Sequence, residues 1–437
     1  MSAVIDIAKK AKLASGVLAR LATEDKNRVL LAIARRLADE AKQIAAANRE
    51  DLRAAEPLVK AGHMSDSMFQ RLKLGDNKVA EMVRGVEQVA KLSDPVGAVG
   101  YAIELDEGLR LYRVNCPIGV LGVIFESRPD ALVQIATLGF KSGNAVLLKG
   151  GKEAQHSNRA LFHLLHAVLF DEGMPADAIA LLETRQEVDE MLTADGYIDL
   201  VIPRGSYDLV RYIQTHTHIP VLGHAEGVCH VYVDSRADLN KAVAIAYDAK
   251  VQYPAVCNAM ETLLVHRAIA ARFLPPMVER FRAGGVELRC DTRCIDEFGI
   301  TGVKPATEMD WRTEYGDLIL SIKVVDSLDE AIAHINAYGS KHTDAIVTED
   351  SAAFERFFAE VDSAGVFCNA STRFSDGFRY GFGAEVGIST YKLHPRGPVG
   401  LEGLVTYKYK LVGDGHTVAT YAGAGAKPFT HRPIGGK

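Results

Sequence analysis

The chain has 437 residues, a formal net charge of −6, and 48% hydrophobic against 24% charged residues. That is the profile of an ordinary globular protein of two large domains or three smaller ones, with enough core to need no disulfides or metals. The acidic balance argues against nucleic-acid binding through bulk positive charge, and the longest apolar run, 117–125, is too short to cross a bilayer.

In chain order, residues 1–95 read as helical. Thr23-Glu24-Asp25 has the character of an N-cap followed by acids, and Leu30, Ile33, Leu37, Ala41 and Ile44 follow at helical spacing. The start carries an early acid and lysines at 9, 10 and 12 rather than a basic segment and an apolar core, so no signal peptide is expected. Stretches 96–104 and 109–115 predict a hairpin around Glu107-Gly108. A βα rhythm follows, with strands at 119–125, 145–149, 178–182, 199–202 and 220–222. Helices fall between them at 153–170, 186–192 and 206–215. Such alternation predicts a parallel, doubly wound sheet. A second set starts with a strand at 230–234, a helix at 237–250 and a strand at 262–266. Residues 371–403 are glycine-rich and irregular, 406–411 alternate like an exposed strand, and 417–437 read as a loose tail.

The six cysteines (116, 229, 257, 290, 294 and 368) are sparse, and a reducing cytoplasm with free thiols is the expected setting. Cys290 and Cys294 lack a nearby histidine pair, and His216, His218, His224 and His230 have no carboxylate beside them except Glu226, so no metal is expected. Lys149-Gly150-Gly151-Lys152 joins a buried strand to a helix. Paired glycines let a ligand approach the backbone, and the helix N-terminus with two lysines favours anions. A plain βα turn with solvated lysines fits the same residues. Arg204-Gly205-Ser206 repeats the theme, or is an ordinary cap. Cys257, after Tyr253-Pro254-Ala255-Val256, reads either as an inert core thiol or as a nucleophile at the start of a helical turn. Asn369-Ala-Ser-Thr-Arg-Phe374, with Arg379, Lys392 and Arg396, is donor-rich enough to bind a carboxylate or phosphate, or is a solvated rim.

Longer strings are more specific. Phe125-Glu-Ser-Arg-Pro-Asp130, Lys141-Ser-Gly-Asn-Ala-Val-Leu-Leu-Lys-Gly-Gly-Lys-Glu-Ala154, Val256-Cys-Asn-Ala-Met-Glu-Thr-Leu-Leu-Val-His266, Asp344-Ala-Ile-Val-Thr-Glu-Asp350, Gly383-Ala-Glu-Val-Gly-Ile-Ser-Thr390 and Arg396-Gly-Pro-Val-Gly-Leu-Glu-Gly403 occur in order. From about residue 5 to about 416 the chain resembles the γ-glutamyl phosphate reductase (glutamate-5-semialdehyde dehydrogenase) family of the aldehyde dehydrogenase superfamily.

The resemblance implies an α/β, aldehyde-dehydrogenase-like fold: a Rossmann-like cofactor domain, an α/β catalytic domain and a small β oligomerisation element. Its implied limits are 1–223 for the NADP(H)-binding domain, with part of an oligomerisation arm near 112–143, and 224–390 for the catalytic cysteine domain. Residues 391–416 would return to the cofactor domain and add the oligomerisation strand. It implies NADPH-dependent reduction of L-glutamyl 5-phosphate through a cysteine thioester, in proline biosynthesis. Residue by residue, Cys257 matches the nucleophile and Lys149, Gly151 and Lys152 the cofactor-phosphate segment. Arg204, Gly205 and Ser206 match a second cofactor turn, and Glu314 the glutamate that holds the nicotinamide ribose. Ser127, Arg128, Asn258, Ser371, Thr372 and Arg373 are the implied substrate contacts. Implied partners are a small-molecule substrate, further copies of the chain and, transiently, glutamate 5-kinase, with no nucleic acid or membrane. Val251, Tyr253 and Ala255 depart from the family's usual Lys-Thr-Gln-Arg-Pro-Gly-Val-Cys. A hydrolytic aldehyde dehydrogenase is the alternative. It would need a general base where this chain has Gly223, with Glu226 three residues on.

Overall fold

The computed structural model describes residues 2–126, 128–205, 207–223, 226–392 and 395–434. Helices α1 (Ala3–Leu18), α2 (Thr23–Asp39), α3 (Ala41–Lys60), α4 (Asp66–Leu72) and α5 (Asp76–Lys91) come first. The expected cap at Thr23 is one residue late. Ala22 holds the extended cap position, and the acids at 24 and 25 favour the positive end of the helix without a side-chain cap. The expected stripe from Leu30 to Ile44 belongs to two helices, because the chain leaves helical geometry at Glu40 (φ −97°, ψ 13°).

Strands β1 (Val99–Asp106) and β2 (Leu109–Pro117) form the hairpin. β3 (Val120–Phe125), β4 (Ala145–Lys149), β5 (Ile179–Leu182) and β6 (Leu200–Arg204) make a parallel sheet in the order β5-β4-β3-β6. Both faces of β3 are covered. Leu121, Val123 and Phe125 join one core with α2, α5, α6 (Pro129–Lys141) and α7 (Gln155–Asp171). Val120 and Ile124 join another with α1, α8 (Arg185–Leu192) and α9 (Tyr207–His216). The strand expected at 220–222 reduces to a bridge between Val201 and Val221, since Pro220 has no N–H to extend a ladder.

The second parallel sheet contains β7 (Cys229–Val233), β8 (Met260–His266), β9 (Glu287–Cys290), β10 (Lys304–Pro305), β11 (Ile319–Val325), β12 (Thr343–Val347) and β13 (Gly365–Cys368). Their order is β10-β9-β11-β8-β7-β12-β13. Between β7 and β8, helix α10 (Leu239–Val251) is capped by Asp238, which accepts from the N–H groups of Asn240 and Lys241. The chain then returns to the first core earlier than expected at 391. Ala384 and Val386 are already buried there, beside the hairpin of β14 (Gly387–Ser389) and β15 (Gly397–Val399).

Two further expectations need correction. Of the segment 112–143 expected to carry part of an oligomerisation arm, 112–117 belong to β2, which pairs with β16 (Val405–Val412), whereas β3 and α6 belong to the parallel-sheet domain. The tail after 416 is not loose. Its β17 (Arg432–Pro433) pairs with β1, and buried Asp106 accepts from the Tyr421 hydroxyl at 2.8 Å and from Lys427. Among the described residues, no helix is long and apolar enough to cross a membrane.

Candidate active site

Cys257 lies between α10 and β8, partly exposed, in a turn closed by the Ala259 N–H donating to the Val256 carbonyl at 2.9 Å. The expected helical turn is that single turn. A strand follows it rather than a helix, so no helix terminus acts on the thiol. The loop is instead pinned by side chains from distant segments. The Cys229 thiol donates to the Cys257 carbonyl at 3.2 Å, and Arg71 Nη2 of α4 donates to the Ala255 carbonyl at 2.8 Å. Asn258 Nδ2 donates to the Ser375 carbonyl at 2.8 Å, and the Thr372 hydroxyl donates to the Asn258 carbonyl at 2.7 Å. Arg373 Nε donates to Gln252 Oε1 at 3.0 Å, and the Ser371 hydroxyl accepts from the Arg373 N–H. Of the expected substrate contacts, Ser371, Thr372 and Arg373 are therefore buried supports of the loop, and Asn258 keeps a buried Oδ1 without a partner.

Gly227 lies flat against the nucleophile. A Cβ on it would sit 2.2 Å from the Cys257 carbonyl oxygen and 2.6 Å from the Cys257 Cβ. Its N–H donates to Glu314 Oε2 at 2.9 Å, so Glu314 is tied to the residue that touches the cysteine. Burial, with the neighbouring Glu314 charge, pushes the Glu226 carboxyl up. Behind Glu314, Lys250 Nζ and Glu261 Oε2 form a buried pair at 2.6 Å. Gly316 donates to Glu261 at 3.2 Å. Burial pushes Glu261 up to about 7, against the attraction of Lys250. Neither Gly227 nor this pair was singled out from sequence. A lysine and a glutamate among apolar neighbours, flanking the cysteine motif, were the available signal.

At the C-terminal end of the first sheet a shallow cleft is lined by Gly150, Gly151, Lys152, Gln155, Asn158, Leu181, Leu182 and Glu183. A Cβ on Gly150 would lie 2.2 Å from Asn158 Nδ2, and Asn158 Oδ1 is buried without a partner. These features fit the adenosine end of a dinucleotide: a bare backbone and a lysine for a phosphate, and an amide oxygen that can accept from a ribose hydroxyl. Lys149 points back, donating to the Gly150 carbonyl at 2.6 Å, and burial lowers its pKa against the pull of Glu153, Glu126 and Glu187. Glu183 is engaged by Arg159 Nη2 at 2.9 Å.

Arg204, expected in the second cofactor turn, does not line this cleft. It lies within electrostatic reach of Cys257, Arg128 and Glu385. Gly205 behind it packs on Glu126, whose Oε2 would be 2.4 Å from an added Cβ. Ser127, Ser206 and His224 fall outside the described residues. His216 stacks on Tyr212, and His230 Nδ1 donates to Asp344 Oδ1 at 2.9 Å in the core.

A parallel sheet ending in a glycine-lined cleft, followed by a second parallel sheet with a partly exposed cysteine in the loop before β8, is the arrangement of a cysteine oxidoreductase of the aldehyde dehydrogenase superfamily. The aldehyde dehydrogenase family model matches residues 1–294. The chain is 55% identical over 432 residues to γ-glutamyl phosphate reductase of Methanococcoides burtonii, covering 98% of this chain and 96% of that one. It is 59% identical to the Synechococcus enzyme of the same name, with 97% and 92% coverage. The crystal structure of γ-glutamyl phosphate reductase from Thermotoga maritima superposes with a TM-score of 0.91 at 43% identity, over 95% of this chain and all of that one. The chain belongs to the γ-glutamyl phosphate reductase family.

Proposed function

We propose that the chain performs this family's reaction, reduction of L-glutamyl 5-phosphate by NADPH to L-glutamate 5-semialdehyde and phosphate, with Cys257 as nucleophile. The observation that carries the assignment is the partly exposed Cys257 turn, pinned from α4, β7 and the 371–375 segment and backed by Gly227. The Cys257 sulfur attacks the acyl carbon. The C–S bond forms, the C–O bond to phosphate breaks, and phosphate leaves with the electron pair, giving a thioester. The Cys257 backbone N–H is the donor nearest the oxyanion that develops in this step and again when the thioester is reduced. Arg373, within electrostatic reach of the sulfur, offsets the negative charge of both transition states. The Asn258 Oδ1 supplies an acceptor for the substrate ammonium. Gly223 stands where a hydrolytic relative would carry its general base, which leaves the thioester slow to hydrolyse.

Gly150, Gly151, Lys152 and Asn158 would hold NADPH, which would supply hydride to the thioester carbon, with the C–S bond breaking and its electron pair returning to Cys257. Lys152 gives the 2′-phosphate a cation, while Arg159 neutralises the one acid of the cleft, Glu183. Copies of the chain would associate through β16, and the free thiols suit a reducing cytoplasm. Glutamate 5-kinase, which makes the labile acyl phosphate, would be a transient partner.

The test is the reverse reaction followed at 340 nm, with semialdehyde, NADP⁺ and purified chain. Without phosphate, a burst near one NADPH per site is expected and then a stall, and phosphate restores turnover. Sustained oxidation without phosphate, or activity in folded Cys257→Ala, would overturn the assignment.

A further inference from the structure

The end of β6 carries a cation that the cofactor cleft does not use. Arg204 is the last residue of that strand, held in register opposite Phe125, and its carbonyl accepts from the Glu126 N–H at 3.2 Å. Its stem runs over Gly387 of β14, where a Cβ would come to 3.9 Å from Arg204 Cγ. The Arg204 guanidinium lies within electrostatic reach of Cys257 on the second sheet. There Nη1 is buried with no hydrogen-bond partner. A buried guanidinium N–H without an acceptor is costly, and in native sites it commonly awaits a ligand.

The surrounding charges identify the ligand class. Arg128 and Glu385, one of each sign, act electrostatically on Arg204, and Glu385 accepts from the Gly377 N–H at 2.9 Å. Two other acids are engaged elsewhere: Asp130 with Lys78 at 3.2 Å, and Asp376 with Arg379 at 3.4 Å. Arg204 forms no ion pair among the described residues, so its unpartnered guanidinium N–H calls for an anion. Burial and the like charge of Arg128 also disfavour the Arg204 cation, which an arriving anion would relieve.

We infer that Arg204 binds the phosphoryl group of the substrate, and the free phosphate that forms when it leaves, instead of a phosphate of the dinucleotide. This rests on the reaction proposed above. Of the substrate's two anionic groups, the phosphoryl oxygen is bonded to the carbon that sulfur attacks, whereas the α-carboxylate lies four carbon–carbon bonds away. In the forward direction a guanidinium fork on that phosphate stabilises the charge that grows as the C–O bond breaks. In reverse, it presents a phosphate oxygen to the thioester carbon. The C–O bond forms, the C–S bond breaks, and the electron pair returns to sulfur.

The reverse reaction separates the alternatives, because phosphate, semialdehyde and NADP⁺ enter as three separate reactants. Arg204→Met and Arg204→Lys are compared with wild type for thermal unfolding, NADP⁺ affinity by fluorescence quenching, the phosphate-free burst, and KM for phosphate. For Arg204→Met, KM for phosphate is expected to rise by about ten-fold or more, the scale of one lost charge-assisted bond. Burst amplitude and NADP⁺ affinity should stay near wild type, and Arg204→Lys should fall between. If Arg204→Met does not fold, the lysine variant alone must show the raised phosphate KM. An unchanged phosphate KM overturns the inference. Weaker NADP⁺ binding would return Arg204 to the cofactor turn, and a raised semialdehyde KM with phosphate unaffected would give it to the α-carboxylate. A wild type that turns over without phosphate overturns the underlying reaction, whatever the variants do.

Discussion

Gly227→Ala tests whether the position of the nucleophile is set by backbone contact. The added methyl carbon would lie 2.2 Å from the Cys257 carbonyl oxygen, 2.5 Å from its Cα and 2.6 Å from its Cβ, where real Cβ contacts essentially never fall below 3.0 Å. All three contacts are with the cysteine's backbone or the first atom of its side chain, so no rotamer change relieves them. The backbone of Gly227 is outside the left-handed region, and its conformation itself is open to alanine. The cysteine loop must therefore move by about 0.8 Å or more. A displacement near 1 Å at a reacting atom costs on the order of 100-fold in rate. The expected result is a fall of about that size in kcat/KM for glutamyl phosphate. The Gly227–Glu314 hydrogen bond should be disturbed as well, since both sit on the same backbone. Thermal unfolding and NADP⁺ affinity control for a general fault. Activity within about three-fold of wild type in a folded variant, under half a decade on the free-energy scale, would refute the reasoning.

Lys152→Ala should lower kcat/KM for NADPH by about ten-fold or more while leaving NADH nearly unchanged, the signature of one lost bond to the 2′-phosphate. Equal efficiencies of the two cofactors in wild type would contradict it. The ion pair at Asp106 gives a pH dependence. Lys427, then the Tyr421 hydroxyl and the Glu107 backbone hold its carboxyl down at about 2, below its ordinary 3.8. A depressed carboxyl contributes docking that is complete above its ordinary value and is lost as pH falls through the depressed one. Hydrogen exchange over 418–433 should therefore accelerate between pH 4 and pH 2 in wild type and be fast at every pH in Asp106→Ala. Equal protection in the two proteins at pH 6 would remove the anchor.

What the sequence made legible was local. β4 is found over the residues expected, because an apolar run ended by paired glycines leaves little choice of period or boundary. The cysteine loop was recognisable because its motif is contiguous. Features assembled from distant segments were not. The tail was read as loose from its Gly, Ala and Pro content, yet its anchor at Asp106 is 321 residues away from Lys427. Arg204 was assigned to a cofactor turn because strand-to-helix turns commonly bind phosphate. Its surroundings include Gly387, nearly two hundred residues later, which lies beside its Cγ. Gly227 and the Lys250–Glu261 pair are ordinary residue types whose roles exist only as contacts between elements.

The docked tail also limits how the small antiparallel sheet can grow. β17 covers Ile103 and Glu104 on the outer side of β1, so the tail blocks the middle of that margin, while β16 at the other margin keeps its outward N–H and C=O groups. A strand ladder with one closed side has a single point of extension. Pairing of β16 with its own copy about a two-fold axis would consume both open margins at once and terminate, giving a closed pair instead of a fibre. Freeing the tail would restore a second margin on every copy. The contacts at Asp106 thus act as a polymerisation stop, and loss of them should register as light scattering at high protein concentration before any loss of turnover.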